Sequence, residues 1–167
     1  MTTRPDPWPH MAKAAAALAE PGQPETAFRA LDTALGAVIG HKLFTTMVLH
    51  HTTGEAERRY SNQPVAYPVS GRKSMGDTPW FRTVVQAKKP WLGRTMDDIR
   101  WAFFDHELIA SLGCGSCMNL LVIHDGVLLG TINMLHEEGY YSEADLAVAS
   151  PFAQLLVPAF LSTIAAR

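Results

Sequence analysis

The chain has 167 residues, a formal net charge of −2, 47% hydrophobic residues and 18% charged ones. That is a globular composition, long enough for a single domain with a substantial core. It lacks the clustered Lys and Arg that nucleic acid or an anionic membrane surface requires, has no run of about 18 apolar residues that would suggest a membrane span, and opens on MTTRPDPWPHM, which has no apolar signal core, so a cytoplasmic location is expected.

Residues 1–9 carry three prolines and read as an extended arm, and the Ala-rich stretch 10–20 reads as a helix stopped by Pro21-Gly22-Gln23-Pro24. An arm and helix over 1–24 then precede a single domain over 25–167. In residues 25–40, Phe28, Leu31, Leu35, Val38 and Ile39 recur at helical spacing, with Gly40 placed to stop the helix. Lys42 to His51 reads as a first strand, and after Thr53-Gly54 the polar stretch Glu55 to Asn62 reads as a second, near an edge. A loop is expected over 63–76, then a short helix over 77–88 with Asp77 or Thr78 as its cap and Pro79 in its first turn. Pro90-Trp91-Leu92 reads as a short strand, and 96–113 as one or two helical turns followed by a helix ending at Gly113.

The stretch Gly115 to Glu137 reads as a hairpin, because Asp125-Gly126 sits between two apolar runs. With a three-residue loop His124-Asp125-Gly126, Ile123 faces Val127, and Met118 pairs with Ile132, Leu120 with Gly130, Val122 with Leu128. The other face then pairs Cys117 with Asn133, Asn119 with Thr131, and Leu121 with Leu129. A two-residue loop would shift the pairing by one and mix the sets, so the register that sorts them is expected. Neither face is charged, so both should be covered, and the amides and hydroxyls of the second face need partners. A bound small molecule, backbone groups or ordered water could each supply them. Finally, Ser142 with Asp145 forms a capping box for a helix over 143–165, with Leu146, Val148, Phe152, Leu155, Leu156, Phe160 and Leu161 as its apolar positions, and Pro151 and Pro158 predict a kink or break.

Over about residues 25–165 this order resembles a GAF domain. The residues that carry the resemblance are Ser116-x-Met118-x-Leu120-x-Val122, then Asp125-Gly126, Leu129-Gly130-Thr131-Ile132-Asn133-Met134, and Tyr141-Ser142-x-x-Asp145-Leu146. Leu121 stands where the family often has proline. The resemblance implies an α+β, GAF-like (PAS-like) fold. A central six-stranded antiparallel sheet would carry the terminal helices on one face and a ligand pocket on the other. It also implies a small-molecule ligand and a homodimer paired through the terminal helices. The face with Met118, Leu120, Val122, Leu128 and Ile132 would pack on those helices, and Cys117, Asn119, Thr131 and Asn133 would floor the pocket.

The segment from Tyr60 to Ser116 holds eight aromatic residues together with Arg72, Lys73, Arg82, Arg94, Arg100, Asp105 and His106. An aromatic-walled pocket with one or two cations suits a small anionic or aromatic ligand; any single aromatic here is expected to be core, and it is for the segment as a whole that the resemblance implies a pocket. The candidate binding residues are Tyr67 and Trp80 as walls, Lys73 and Arg100 for an anion, Asp105 and His106 for polar contact or proton transfer, and Ser116, Cys117, Asn119 and Asn133 on the floor. No metal site is expected, because Cys114-x-x-Cys117 has no second pair and the histidines lack ligand spacing. No cofactor is identified.

The function this reading favours is a small-molecule-binding sensor or accessory module. The alternative is a small cofactor-independent enzyme, with His106, Asp105 or Cys117 as catalytic candidates. One form of it is a redox enzyme using Cys114 and Cys117, related to the free methionine sulfoxide reductases. Those enzymes carry a cysteine near the start of the lateral helix, where this chain has Pro79-Trp80-Phe81.

Overall fold

A computed structural model describes residues 3–69 and 71–166. Helix α1 (Pro7–Ala17) packs on α2 (Glu25–Val38). The strands β1 (Leu43–His50) and β2 (Glu55–Ser61) follow, then a short β3 (Arg72–Ser74). Helix α3 (Pro79–Phe81) runs into a π-helical turn over Arg82–Gln86. Next come β4 (Trp91–Gly93), α4 (Met96–Ala102), α5 (His106–Ser111), and the hairpin β5 (Ser116–His124) and β6 (Val127–His136). Helix α6 (Glu143–Ala153), a 3₁₀ turn over Gln154–Leu156, and α7 (Val157–Ala165) close the chain. The six strands form one sheet in the order β3-β2-β1-β6-β5-β4, with every neighbour antiparallel. This is the α+β architecture that the resemblance implies.

Hydrophobic periodicity alone gave five strands. The sixth, β3, lies in the expected loop 63–76 and is three exposed residues, two cationic and one neutral polar, with no alternating pattern to betray it. The break expected from Pro151 and Pro158 falls at Gln154–Leu156, and Pro158 sits in the first turn of α7, where its missing N–H costs nothing. Leu161, expected among the apolar positions, is 39% exposed. Taken together, Glu143–Ala165 is long and apolar enough by length and composition to cross a membrane. In this fold its Ala149, Phe152, Ala153, Leu156 and Phe160 are buried in the core that covers the sheet.

That core joins Phe28, Leu31 and Leu35 of α2 to Phe44 and Val48 of β1 and to Met118, Leu120, Val122, Ile132 and Met134 of the hairpin. Gly130 of β6 lies close against β1 and α7. A Cβ there would collide with the Met47 carbonyl and the Phe160 ring.

The hairpin register differs from the expected one by two residues. Leu120 pairs with Ile132, Asn119 with Asn133, and Cys117 with Leu135. The loop is the two-residue turn Asp125-Gly126, with φ of 51° and 74°, the left-handed pair of a type I′ turn. A bulge between Val122 and Ile123 adds a residue to β6 and restores the face parity that this turn alone would have reversed. The side chain of Gln154 accepts from the Ile123 N–H at 2.9 Å and donates to its carbonyl at 2.8 Å. As a result Leu128 faces away from the terminal helices, packing with Leu49 and Val85, and Leu129 takes its place in the helix-side core.

The expected arm is also corrected. The helix starts at Pro7, capped by Asp6, because prolines fit a first turn. Arg4 before it is anchored. Its Nε and Nη2 donate to the two Asp145 carboxylate oxygens at 2.9 and 3.1 Å, and Nη1 donates to the Ile39 carbonyl at 2.8 Å. Asp145 also accepts from the Ser142 N–H in the capping box. Burial raises the Asp145 pKa, but the hydrogen bonds from Arg4 and Ser142 outweigh it and hold the carboxyl below its ordinary value. The unfolded chain therefore takes up this proton first. The contribution is present above the usual carboxylate range and is lost as pH falls through the folded pKa. Denaturant unfolding of the wild type and Asp145→Asn across a pH series should show a stability gap of about 2 kcal/mol near neutrality that shrinks below about pH 4.

Candidate functional site

The sheet face opposite the terminal helices carries a cavity of about 290 Å³. Its floor is Leu43, Thr45, Met47 and Leu49 of β1 with Thr131, Asn133 and Leu135 of β6, the alternate residues of two neighbouring central strands. The walls come from Trp80, Phe81 and Val85 on one side and from Phe103, Phe104, Asp105 and Ile109 at the α4–α5 connection. Trp80 and Phe103 meet at a ring separation of 5.8 Å. Thr78 caps α3 by accepting from the Phe81 N–H, which fixes Trp80 over the sheet.

The polar residues of the floor satisfy one another. The Trp80 indole N–H donates to Asn119 Oδ1 at 2.9 Å, and Asn119 Nδ2 donates to Asn133 Oδ1 at 2.7 Å. Thr131 Oγ1 donates to the same Asn133 oxygen at 2.9 Å, and Asn133 Nδ2 donates to Thr45 Oγ1 at 3.1 Å. Asn119 is 1% exposed and does not line the cavity, so the partners that this face needs are a tryptophan and neighbouring side chains.

Among the described residues three charged side chains line the cavity: Arg58, Lys73 and Asp105. The Tyr67 hydroxyl donates to Asp105 Oδ2 at 2.6 Å, joining the loop after β2 to the start of α5. Burial, with Asp105 close by, pushes the Tyr67 pKa above its ordinary value and keeps the phenol protonated. The Arg58 guanidinium lies 4.8 Å from the centre of the Tyr67 ring, and its Nη1 donates to the Pro68 carbonyl at 3.2 Å. Its Nε is buried and has no hydrogen-bond partner. Burial lowers the Arg58 pKa against the opposing pull of Tyr67 and Asp105, and a guanidinium still stays charged. Two cations against one carboxylate leave this region net positive.

Of the candidate binding residues, Tyr67, Lys73, Trp80, Asp105 and Asn133 line the cavity. Arg100, His106, Ser116 and Cys117 do not line it, and neither does Asn119. Arg100 lies on the exposed face of α4, since Ile99 and Ala102 take the buried one, and pairs with Asp97 at 2.7 Å. His106 is the first residue of α5, beside the cavity-lining Asp105. Ser116 is buried and donates to the Glu137 carbonyl at 2.7 Å. Cys117 is fully buried among Leu43, Ile99, Ile109 and Leu135. Burial pushes the Cys114 thiol up to about 11 and raises Cys117 further, so both are held protonated and no thiol faces the cavity. No group of three or more His, Cys, Asp or Glu side chains able to hold a metal occurs among the described residues.

Arg58 was missed. It sits in the polar second strand, and only the alternation Ala56-x-Arg58, which places both on the cavity side, could have marked it.

The arrangement is that of a GAF domain, a single antiparallel sheet with a ligand-sized cavity on the face away from the terminal helices, and the chain has the GAF fold. It superimposes on the GAF domain of a phosphoenolpyruvate-protein phosphotransferase from Coxiella burnetii with a TM-score of 0.75 at 15% identity, over 96% of this chain and 95% of that one. It also matches the free methionine-R-sulfoxide reductase from Neisseria meningitidis in complex with its substrate, with a TM-score of 0.72 at 14% identity, over 100% and 98% of the two chains. No protein-family model and no curated relative matches the chain in sequence.

Two measurements check this site. Asn119→Leu strands the Trp80 N–H and unseats Asn133, and should cost roughly 2–3 kcal/mol in denaturant unfolding. Cys114 and Cys117 should resist iodoacetamide at pH 8 in the native protein and react readily once it is unfolded.

Proposed function

We propose that the protein binds a small organic anion with an apolar or aromatic body in the cavity over its sheet, and that it acts as a sensor or accessory module. The observation that carries this reading is the cavity wall, where the cations Arg58 and Lys73 stand over an otherwise mostly apolar, aromatic-sided space. A ligand carboxylate beside the Arg58 guanidinium would be held in the bidentate manner that arginine favours. Lys73 adds a second positive charge from β3, and Trp80, Phe81 and Phe103 offer apolar surface for the body of the ligand. Asp105, held by Tyr67, keeps one carboxylate oxygen available for a donor group on the ligand.

The buried, protonated thiols favour binding over cysteine chemistry. Output would pass through the terminal helices, where Trp8 of α1 and Leu161 of α7 are 70% and 39% exposed and offer apolar surface to a second copy.

A thermal-shift screen of organic anions should find compounds that raise the melting temperature, since a ligand of the folded state stabilises it by mass action. Arg58→Gln should weaken the best of them roughly ten- to hundredfold. Arg100→Gln, outside the cavity, should leave binding unchanged. Equal binding by Arg58→Gln and wild type would refute the reading.

A further inference from the structure

The two cations of the cavity wall are held very differently. Lys73 lies on β3, an edge strand whose three residues are all exposed. Arg58 lies in β2, inside the sheet and opposite Met47 of β1, and its guanidinium is fastened at two points. It stacks 4.8 Å from the centre of the Tyr67 ring, and its Nη1 donates to the carbonyl of Pro68, the next residue.

Tyr67 is in turn fixed from three sides. Its N–H donates to the Gln63 carbonyl at 2.8 Å. Its ring is 6% exposed, in the cluster of Leu43, Ile109, Cys114 and Leu135. Its hydroxyl donates to Asp105 Oδ2 at 2.6 Å, and the Asp105 carbonyl accepts from the Ile109 N–H at 3.1 Å in the first turn of α5. Around it Pro64, Val65, Pro68 and Val69 are exposed, so Tyr67 is the buried anchor of this loop. Asp105, Tyr67 and Arg58 therefore form one chain of contacts from a helix start to the cavity wall.

Arginine has a long side chain whose rotamer freedom is lost when it grips a ligand. Ordering such a side chain in advance is worth roughly two- to tenfold in affinity. A phenol ring offers the electron-rich face on which a guanidinium stacks, and one that is buried and hydrogen-bonded holds its place whether or not a ligand is present.

We propose that Tyr67 is a positioning residue for anion binding: its ring, pinned by Asp105, presets the Arg58 guanidinium at the cavity wall before a ligand carboxylate arrives. This rests on the reading of the cavity as an anion site and adds what makes Arg58, rather than Lys73, the recognising cation. The role needs no contact between Tyr67 and the ligand.

The test is a double-mutant cycle, read by calorimetric titration of the full chain with benzoate, phenylacetate and indole-3-acetate. Tyr67→Leu should weaken the tightest of the three roughly tenfold when Arg58 is present. In the Arg58→Gln background it should cost no more than about twofold, because there is no guanidinium left to place. A residue that only supports the fold, or that touches the ligand itself, would cost the same factor in both. Tyr67→Phe keeps the ring in its cluster and loses only the pin. It should cost about threefold, again only with Arg58 present, and it decides the matter if Tyr67→Leu does not fold. Asp105→Asn and Asp105→Ala both remove the charge, but only the first keeps an acceptor for the phenol, so the second should bind about threefold more weakly than the first. NMR relaxation of Arg58 Nε in the ligand-free protein should report a side chain that is ordered in the wild type and mobile in Tyr67→Leu. Equal losses in the two Arg58 backgrounds, wild-type affinity in both Tyr67 variants, or an Arg58 side chain whose order does not change overturns the positioning role and leaves Arg58-dependent binding standing. If none of the three carboxylates binds, or if Arg58→Gln binds them as well as the wild type, the anion site fails and the positioning role with it.

Discussion

Strand parity in the β5–β6 hairpin is the constraint on which the rest depends. Each paired residue of the hairpin points either to the terminal helices or to the opposite side of the sheet, and one unpaired residue decides which. The Asp125-Gly126 turn is set by local backbone chemistry, because both residues tolerate a left-handed conformation. That turn by itself would bring polar and apolar residues onto the same face. The bulge beside Ile123 reverses the error, and Gln154, from the turn between the last two helices, takes both backbone groups of Ile123. A side chain about thirty residues away thus stands guard over the register, and with it the division of the sheet into a core face and a cavity face.

On the cavity face the sheet resolves its own polar burden almost completely. Trp80, Asn119, Asn133, Thr131 and Thr45 form one connected set of donors and acceptors. Buried networks are stabilising when complete and costly when broken, so this one acts as a rigid platform that also locks the short α3 segment over the sheet. Above that platform the charged groups are held by one another and by the loop after β2: Arg58 is stacked on Tyr67, which is itself tied to Asp105, and donates to the Pro68 carbonyl.

The helix face is closed by a different device. Arg4 reaches from ahead of α1 to the capping box of α6 and to the Ile39 carbonyl at the end of α2, so three helices are pinned by one guanidinium. The capping box itself was legible, because Ser142-x-x-Asp145 is a local signal. Its partner was not, since Arg4 and Asp145 are 141 positions apart and nothing in either neighbourhood points to the other.

The sequence by itself determined the elements whose causes are local. These are the α2 stripe from Phe28 to Val38, the Thr78 and Ser142 caps, the break near Pro158 and the hairpin about Asp125-Gly126. Their capping, turn and periodicity signals act within a few residues. The tertiary structure alone decided what depends on pairing between distant segments. It paired three exposed residues as β3, moved the hairpin register by two, buried Cys117 and Ser116 in the core, and turned Arg100 outward. It also turned Arg58 into the cavity, because a strand residue's side is fixed by its neighbour's register and its environment by whatever packs over that side.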